Sequence, residues 1–238
     1  MTINTPTKMK KFDIETYLNS LPENVTNIDI SSRNLTKLSS LTRFTNLRTL
    51  DCEHNKLTSL PEELPESLEQ LYCSYNQLTS LPRRLPTRLQ YLYCMNNRLT
   101  SLPEELPESL RHLYCTGNQL TSLPPLHSNI INLYCNHNPL TFIPTLPESI
   151  SGFSFDFTPI WKIINSSDFV IIKQKIKLLN SLRHLCYCLK FKHQFRKWLW
   201  ERVRKPKIER KYNPMYLISN LNEDIDLDRF LGHWITSA

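Results

Sequence analysis

The sequence predicts an α/β repeat solenoid with a parallel β-sheet on its concave face and a proline-rich, extended convex side. A helical lid closes the N-terminus and a helical cap the C-terminus. Two observations carry this prediction. Between Leu50 and Leu146 one phrase, LxxLxCxxNxLxxLPxxLPxx, recurs with asparagines at 55, 76, 97, 118 and 138, in steps of 21, 21, 21 and 20. The chain also holds sixteen prolines against three glycines, so its repeated turns must be made by other means than glycine.

Residues 1–24 read as the lid. The first eleven are polar and lysine-bearing, and Asp13 to Leu21 forms a short amphipathic helix, capped by Asp13 and stopped before Pro22. A solenoid needs such a cover over its first apolar layer. Residues 25–160 then hold about seven repeats. The first runs through Ile28, Ile30 and Leu35, and one extra residue places Arg33, not Asn34, at the asparagine position. In the regular copies Leu71 and Cys73 alternate with Gln70, Tyr72 and Ser74, a period of two with one face buried. Stacked copies pair as parallel strands about 4.8 Å apart. The asparagine suits the end of each strand, because its amide can satisfy backbone groups in the bend that no strand reaches. Proline pairs such as Pro61 and Pro65, with φ fixed near −65°, favour an extended return path. The last copy, from Ile150 to Ile160, brings in Phe153 and Phe155 and puts Thr158 where asparagine stood.

Residues 161–238 lose the period and hold all four tryptophans. Asp168 can cap a helix with apolar residues Ile172, Ile176, Leu179, Leu182, Leu185 and Leu189 at steps of three and four. A second helical stretch is expected from Phe191 to Arg204, and Asn213-Pro214 opens a third. This segment is also where the charge lies. Residues 1–160 carry thirteen Lys/Arg against fifteen Asp/Glu, a balance of −2, and residues 161–238 carry sixteen against seven, a balance of +9.

The repeat text resembles the leucine-rich repeat superfamily, with cysteine at the third apolar position of its LxxLxLxxNxL core. The LPxxLPxxL continuation is similar to the short repeats of bacterial effectors of the YopM and IpaH kind. The LPESLxxLYCxxNxLTSLP wording, with a basic, tryptophan-bearing tail, resembles leucine-rich repeat proteins of giant viruses of the mimivirus type. The resemblance implies a viral or effector-like protein that binds host proteins and acts in a cytoplasm, that of an infected host cell.

No window reaches the roughly 18 apolar residues of a membrane span, and Lys8, Lys10 and Lys11 lead into Phe12-Asp13-Ile14-Glu15, not into a secretory apolar segment. A soluble, cytoplasmic protein is expected. Five of the seven cysteines (52, 73, 94, 115 and 135) occupy one place in successive repeats, which suits buried thiols in a reducing compartment. Parallel Cβ vectors in a row can neither surround a metal nor pair well as disulfides. Neither metal nor cofactor is expected, and no catalytic group. IpaH-type effectors carry a ubiquitin-transferring cysteine in a Cys-x-Asp motif after their repeats. Here Cys186-Tyr187-Cys188 has cysteine where that motif has aspartate, so the activity is not expected.

The candidate site is the outward face of the strands. Tyr72, Tyr93, Tyr114 and Tyr134 form a row flanked by Gln70, Tyr91, Met95, His112 and Asn132, with Asp29, Asp51 and Glu53 making the opposite end acidic. Tyrosine offers a broad apolar body and a hydroxyl at low rotamer cost, and a row of rings suits an interface with a protein partner. The competing explanation is that tyrosine is a good strand residue, copied by duplication. A second candidate is the basic patch Lys190, Lys192, Arg196, Lys197, Arg202 and Arg204, which would attract nucleic acid or an anionic membrane. Its competing explanation is a solvated helix face.

Overall fold

A computed structural model describes residues 12–201 apart from Asn165 and Ser167, with the side chains of 184–195, 198 and 199 also outside the description. Contacts divide the chain into two compact units, Met1–Asn180 and Ser181–Ala238.

The first unit opens with helix α1, Ile14–Ser20. Asp13 caps it as its side chain accepts from the Glu15 N–H at 3.2 Å and the Thr16 hydroxyl at 2.5 Å. Leu18 is buried against the first repeat, and the Arg43 guanidinium donates to the Leu18 carbonyl, tying the lid down.

Seven three-residue strands follow: β1 Asn27–Asp29, β2 Thr49–Asp51, β3 Gln70–Tyr72, β4 Tyr91–Tyr93, β5 His112–Tyr114, β6 Asn132–Tyr134 and β7 Gly152–Ser154. They pair in sequence order as one parallel sheet. The register is unbroken, so that Ile28, Leu50, Leu71, Leu92, Leu113, Leu133 and Phe153 are successive partners. The central residues of β1 to β6 are fully buried, and their neighbours in β2 to β6 are half-buried, which is the predicted alternation.

Each asparagine binds two repeats. Asn97 donates to the carbonyls of Cys73 at 3.0 Å, Cys94 at 3.2 Å and Met95 at 3.2 Å, while its Oδ1 accepts from the Leu78 N–H at 3.0 Å. Asn55, Asn76, Asn118 and Asn138 repeat the pattern. In the irregular first repeat, Arg33 does occupy the asparagine position. Its side chain cannot reach inward as an amide does and lies over the Phe12 ring at 4.9 Å, while Asn55 accepts from the backbone N–H groups of both Arg33 and Leu35.

The return path is extended, broken by one turn per repeat. The second proline of a pair accepts from the residue three further on, as in Leu68 N–H to Pro65 O at 3.0 Å and Leu89 N–H to Pro86 O at 3.1 Å, while after Pro124-Pro125 His127 takes that place, accepting from Ile130 at 3.4 Å. Leucines on both sides of these turns join the same core, which runs continuously from Leu18 to Ile176.

The C-terminal reading is corrected in three places. Helix α2, Pro159–Ile164, starts inside the last repeat: Thr158 accepts from the Trp161 N–H at 3.2 Å, and proline takes the first helical position. Helix α3, Phe169–Leu199, is continuous where two separate helical stretches were expected, since nothing between Leu189 and Phe191 breaks it. Asp168 caps α3 as expected, accepting from the Val170 and Ile171 N–H groups. The apolar stripe is only partly used. Ile172 and Ile176 are buried and Leu179 packs against the core, but Leu182 is 48% exposed; the Leu185 and Leu189 side chains lie outside the described residues. Within the first unit α3 is held by Asn180, which donates to the Ile143 carbonyl at 3.2 Å, and by the Lys173–Glu148 ion pair at 3.2 Å. The expected third helix from Asn213-Pro214 lies outside the described residues.

Candidate functional site

On each strand the residues before and after the buried central one face outward. Parallel pairing without slippage then aligns them in columns across the sheet. One column runs Thr49, Gln70, Tyr91, His112, Asn132, and the next Asp51, Tyr72, Tyr93, Tyr114, Tyr134.

The tyrosine column is a stack. Ring centroids are 4.8 Å apart between Tyr72 and Tyr93, 4.4 Å between Tyr93 and Tyr114 and 5.1 Å between Tyr114 and Tyr134, with planes within 20°, 6° and 3° of parallel. The strand spacing of about 4.8 Å produces this, because flat rings on adjacent parallel strands meet face to face. The rings are consequently half-buried. They cover one another's faces, where the sequence suggested a broad exposed patch. Tyr91 and His112 stack beside them at 4.4 Å.

Hydrogen bonds fix the flanks. The Tyr72 hydroxyl donates to Gln70 Oε1 at 3.1 Å, and Asn132 Nδ2 lies 3.0 Å from His112 Nδ1. Burial, with help from Arg111, lowers the His112 pKa and favours the neutral ring. Burial also pushes the Tyr93 phenol up to about 12, with Tyr114 adding to it. The Tyr72 phenol is raised by burial and then by Asp51 and Glu53. Met95 and Asp51 are half-buried on the same face.

One column was not foreseen. Ser32, His54, Tyr75, Asn96, Gly117, His137 and Phe157 all have positive φ, between 51° and 70°. Each bends the chain out of its strand just before the asparagine position, and from Ser32 to His137 its N–H donates to a carbonyl of the next repeat, as in His54 to Ser74 at 3.1 Å and Asn96 to Thr116 at 2.8 Å. Two stacked pairs stand here, His54 on Tyr75 and His137 on Phe157, with Tyr75 48% and Phe157 75% exposed. The position before each asparagine was the available signal, since Asn, His and Gly tolerate left-handed backbone better than most residues.

Behind the sheet the five repeat cysteines are free thiols, fully buried. Cys52 and Cys73 each point Sγ at the carbonyl that their own N–H also reaches in the next strand, at 3.3 and 3.2 Å. Burial raises every one of these thiols, Cys115 to about 12, which leaves them protonated and inert. Among the described residues no group of three His, Cys, Asp or Glu side chains is placed to hold a metal ion. Nor is any described helix long and apolar enough to cross a membrane.

Of the basic patch, Lys190, Lys192, Arg196 and Lys197 lie on α3, and the Arg196 and Lys197 side chains are exposed. The Lys190 and Lys192 side chains, and Arg202 and Arg204, fall outside the description, as do the side chains of Cys186 and Cys188.

Residues 87–126 match the family described as Leucine Rich repeats (2 copies), and residues 46–66 match Leucine Rich Repeat. Over 57 residues the chain is 44% identical to human oligodendrocyte-myelin glycoprotein, a match covering 24% of this chain and 13% of that protein. Similar solved structures include YopM from Yersinia enterocolitica, 30% identical over 58% of this chain and 34% of that one, with a TM-score of 0.47. Another is a YopM from Yersinia pestis, 30% identical over 56% and 43%, also at 0.47. The chain thus spans only a small part of the length of the proteins it matches. With one leucine register and one asparagine bonding pattern running through its sheet, the chain folds as a leucine-rich repeat solenoid, and its segments 46–66 and 87–126 are similar to that family's repeats.

Proposed function

We propose that the chain is a non-catalytic interaction module that takes a protein partner on its concave face, through Asp51, Gln70, Tyr72, Tyr91, Tyr93, Met95, His112, Tyr114, Asn132 and Tyr134. The observation that carries this reading is the continuous stack of four tyrosines over β3 to β6. Rings already fixed by their neighbours lose little freedom when a partner arrives, so less of the contact energy is consumed in ordering them. The unlike side chains beside them, Gln70, Tyr91, His112 and Asn132, supply selectivity. Free, buried thiols suit a reducing cytoplasm. On the resemblance to effector and giant-virus repeats, that cytoplasm is an infected host's.

The test is Tyr93→Ala combined with Tyr114→Ala in the full chain, with far-UV circular dichroism as the folding control. Partner capture from cytoplasmic extract is expected to fall about tenfold or more, the loss of two anchors each worth roughly 1 kcal/mol or above. Undiminished capture would overturn the reading.

A second reading has the repeats hold up a basic adaptor that docks on nucleic acid or anionic membrane. The exposure of Arg196, Lys197 and Trp200 at the end of α3 favours it. It requires salt-sensitive binding of the full chain to RNA or anionic vesicles that weakens with Arg196→Gln and Lys197→Gln.

A further inference from the structure

We propose that the segment received by the concave face is a basic polypeptide, with its lysine or arginine side chains at the Asp29, Asp51 and Glu53 end and its apolar side chains along the tyrosine ladder. This deepens the reading of that face as a binding surface and rests on it.

Charge supplies the first argument. The register places four formally charged side chains in the outward columns of the sheet and the bend that follows it: Asp29, Asp51, Glu53 and Asp156. All are carboxylates, and neither lysine nor arginine shares those columns. The ion pairs seen among the described residues, Arg48–Glu69 and Lys173–Glu148, involve none of the four. Arg33 lies near enough to Asp29 to favour its anion slightly, yet its guanidinium rests on Phe12. Otherwise these carboxylates accept from their own neighbourhood: Asp29 from the Ser31 N–H at 2.9 Å and hydroxyl at 2.7 Å, Asp51 from the Glu53 N–H at 3.0 Å, and Asp156 from the Ser154 hydroxyl at 2.7 Å.

Desolvation supplies the second. Any partner broad enough to touch the tyrosines also covers the acidic residues in register with them, and a carboxylate removed from water without a counter-charge is strongly unfavourable. An apolar segment would leave that deficit, and an acidic segment or a nucleic acid would add repulsion. A basic segment removes it.

The third argument is where the ladder begins. Asp51 is the register partner of Tyr72, and Tyr72 is stacked on the Tyr93 side, leaving its other side toward Asp51. A guanidinium or ammonium there meets a ring face and a carboxylate together, the two groups that attract it most.

The decisive probe is a short fluorescein-labelled peptide of repeating Arg-Ser-Leu, compared by fluorescence polarisation with its counterpart carrying citrulline in place of arginine. Citrulline keeps the shape and removes the charge. With the full chain, the arginine peptide is expected to bind at least about tenfold more tightly, and Asp51→Asn with Glu53→Gln to abolish most of that preference. Asparagine and glutamine keep the local hydrogen bonding, so folding should survive, and circular dichroism checks it. Equal binding of the two peptides would overturn the proposal, as would an arginine preference untouched by the Asp51 and Glu53 changes. If Tyr93→Ala with Tyr114→Ala still abolishes native partner capture while the peptides bind alike, the face is a binding surface for another chemistry and only the basic assignment falls.

Discussion

Replacing Asn97 with alanine removes four hydrogen bonds from a buried side chain. The Leu78 N–H loses its acceptor at 3.0 Å, and Leu78 is fully buried. The carbonyls of Cys73, Cys94 and Met95 lose a donor at 3.0–3.2 Å. An unsatisfied buried N–H costs roughly 1–3 kcal/mol, and the weakened carbonyls add about 1 kcal/mol more. The expected loss is therefore about 2–4 kcal/mol, concentrated at the junction of two repeats, because a solenoid's stability is a sum of repeat and interface contributions. Urea unfolding followed by circular dichroism measures the total, and hydrogen exchange at the Leu78 amide measures the local part. Asn129→Ala is the control, since it removes only an exposed bond to the Glu108 carbonyl at 2.8 Å. If Asn97→Ala and Asn129→Ala unfold within about 1 kcal/mol of each other, or Leu78 keeps its protection, the account of the asparagine ladder is wrong.

Further outcomes follow from the same structure. Asn97→Asp keeps an acceptor for Leu78 but turns a carboxylate toward three carbonyls, so it should destabilise more than alanine at neutral pH and recover as the pH falls and the carboxyl gains a proton. Gly117→Ala should cost about 1–2 kcal/mol, because a Cβ would lie 2.4 Å from Asn96 Oδ1 at a φ of +70°; adding Asn96→Gly, which removes that side chain and accepts the φ of +52° there, should return the part due to the clash and leave the backbone strain at 117. The five ladder thiols should resist a thiol reagent at pH 8 until denaturant opens the repeats. Stability should fall in alkali: the Tyr93 phenol, raised in the folded state to about 12, contributes fully below its unfolded pKa near 10 and is lost as pH rises through 12, which tyrosinate absorbance and melting temperature can follow together.

Much of this molecule was legible before any coordinates. The Leu-Cys alternation, the fixed asparagine step and the paired prolines announce strand, bend and return path, because each of those conformations demands a particular residue type at a particular place. Even the irregular first repeat was readable, since Arg33 had to stand where an amide was needed. The far end was harder. Thr158 reads as the loss of an asparagine, yet it caps α2, and α3 runs on past Leu189 because neither glycine nor proline stands there to stop it.

By itself the sequence determined the period, and hence the register of every strand, since one leucine per repeat must be buried and a slip by one residue would expose them all. It could name the tyrosines but not their state. Only the tertiary structure decided that they stack into a half-buried rail, that a left-handed column of His, Tyr and Phe stands beside it, and that the carboxylates in register with it have no described cation in an ion pair. Those properties arise between residues about twenty positions apart, and they exist only once parallel strands hold the repeats at one strand spacing.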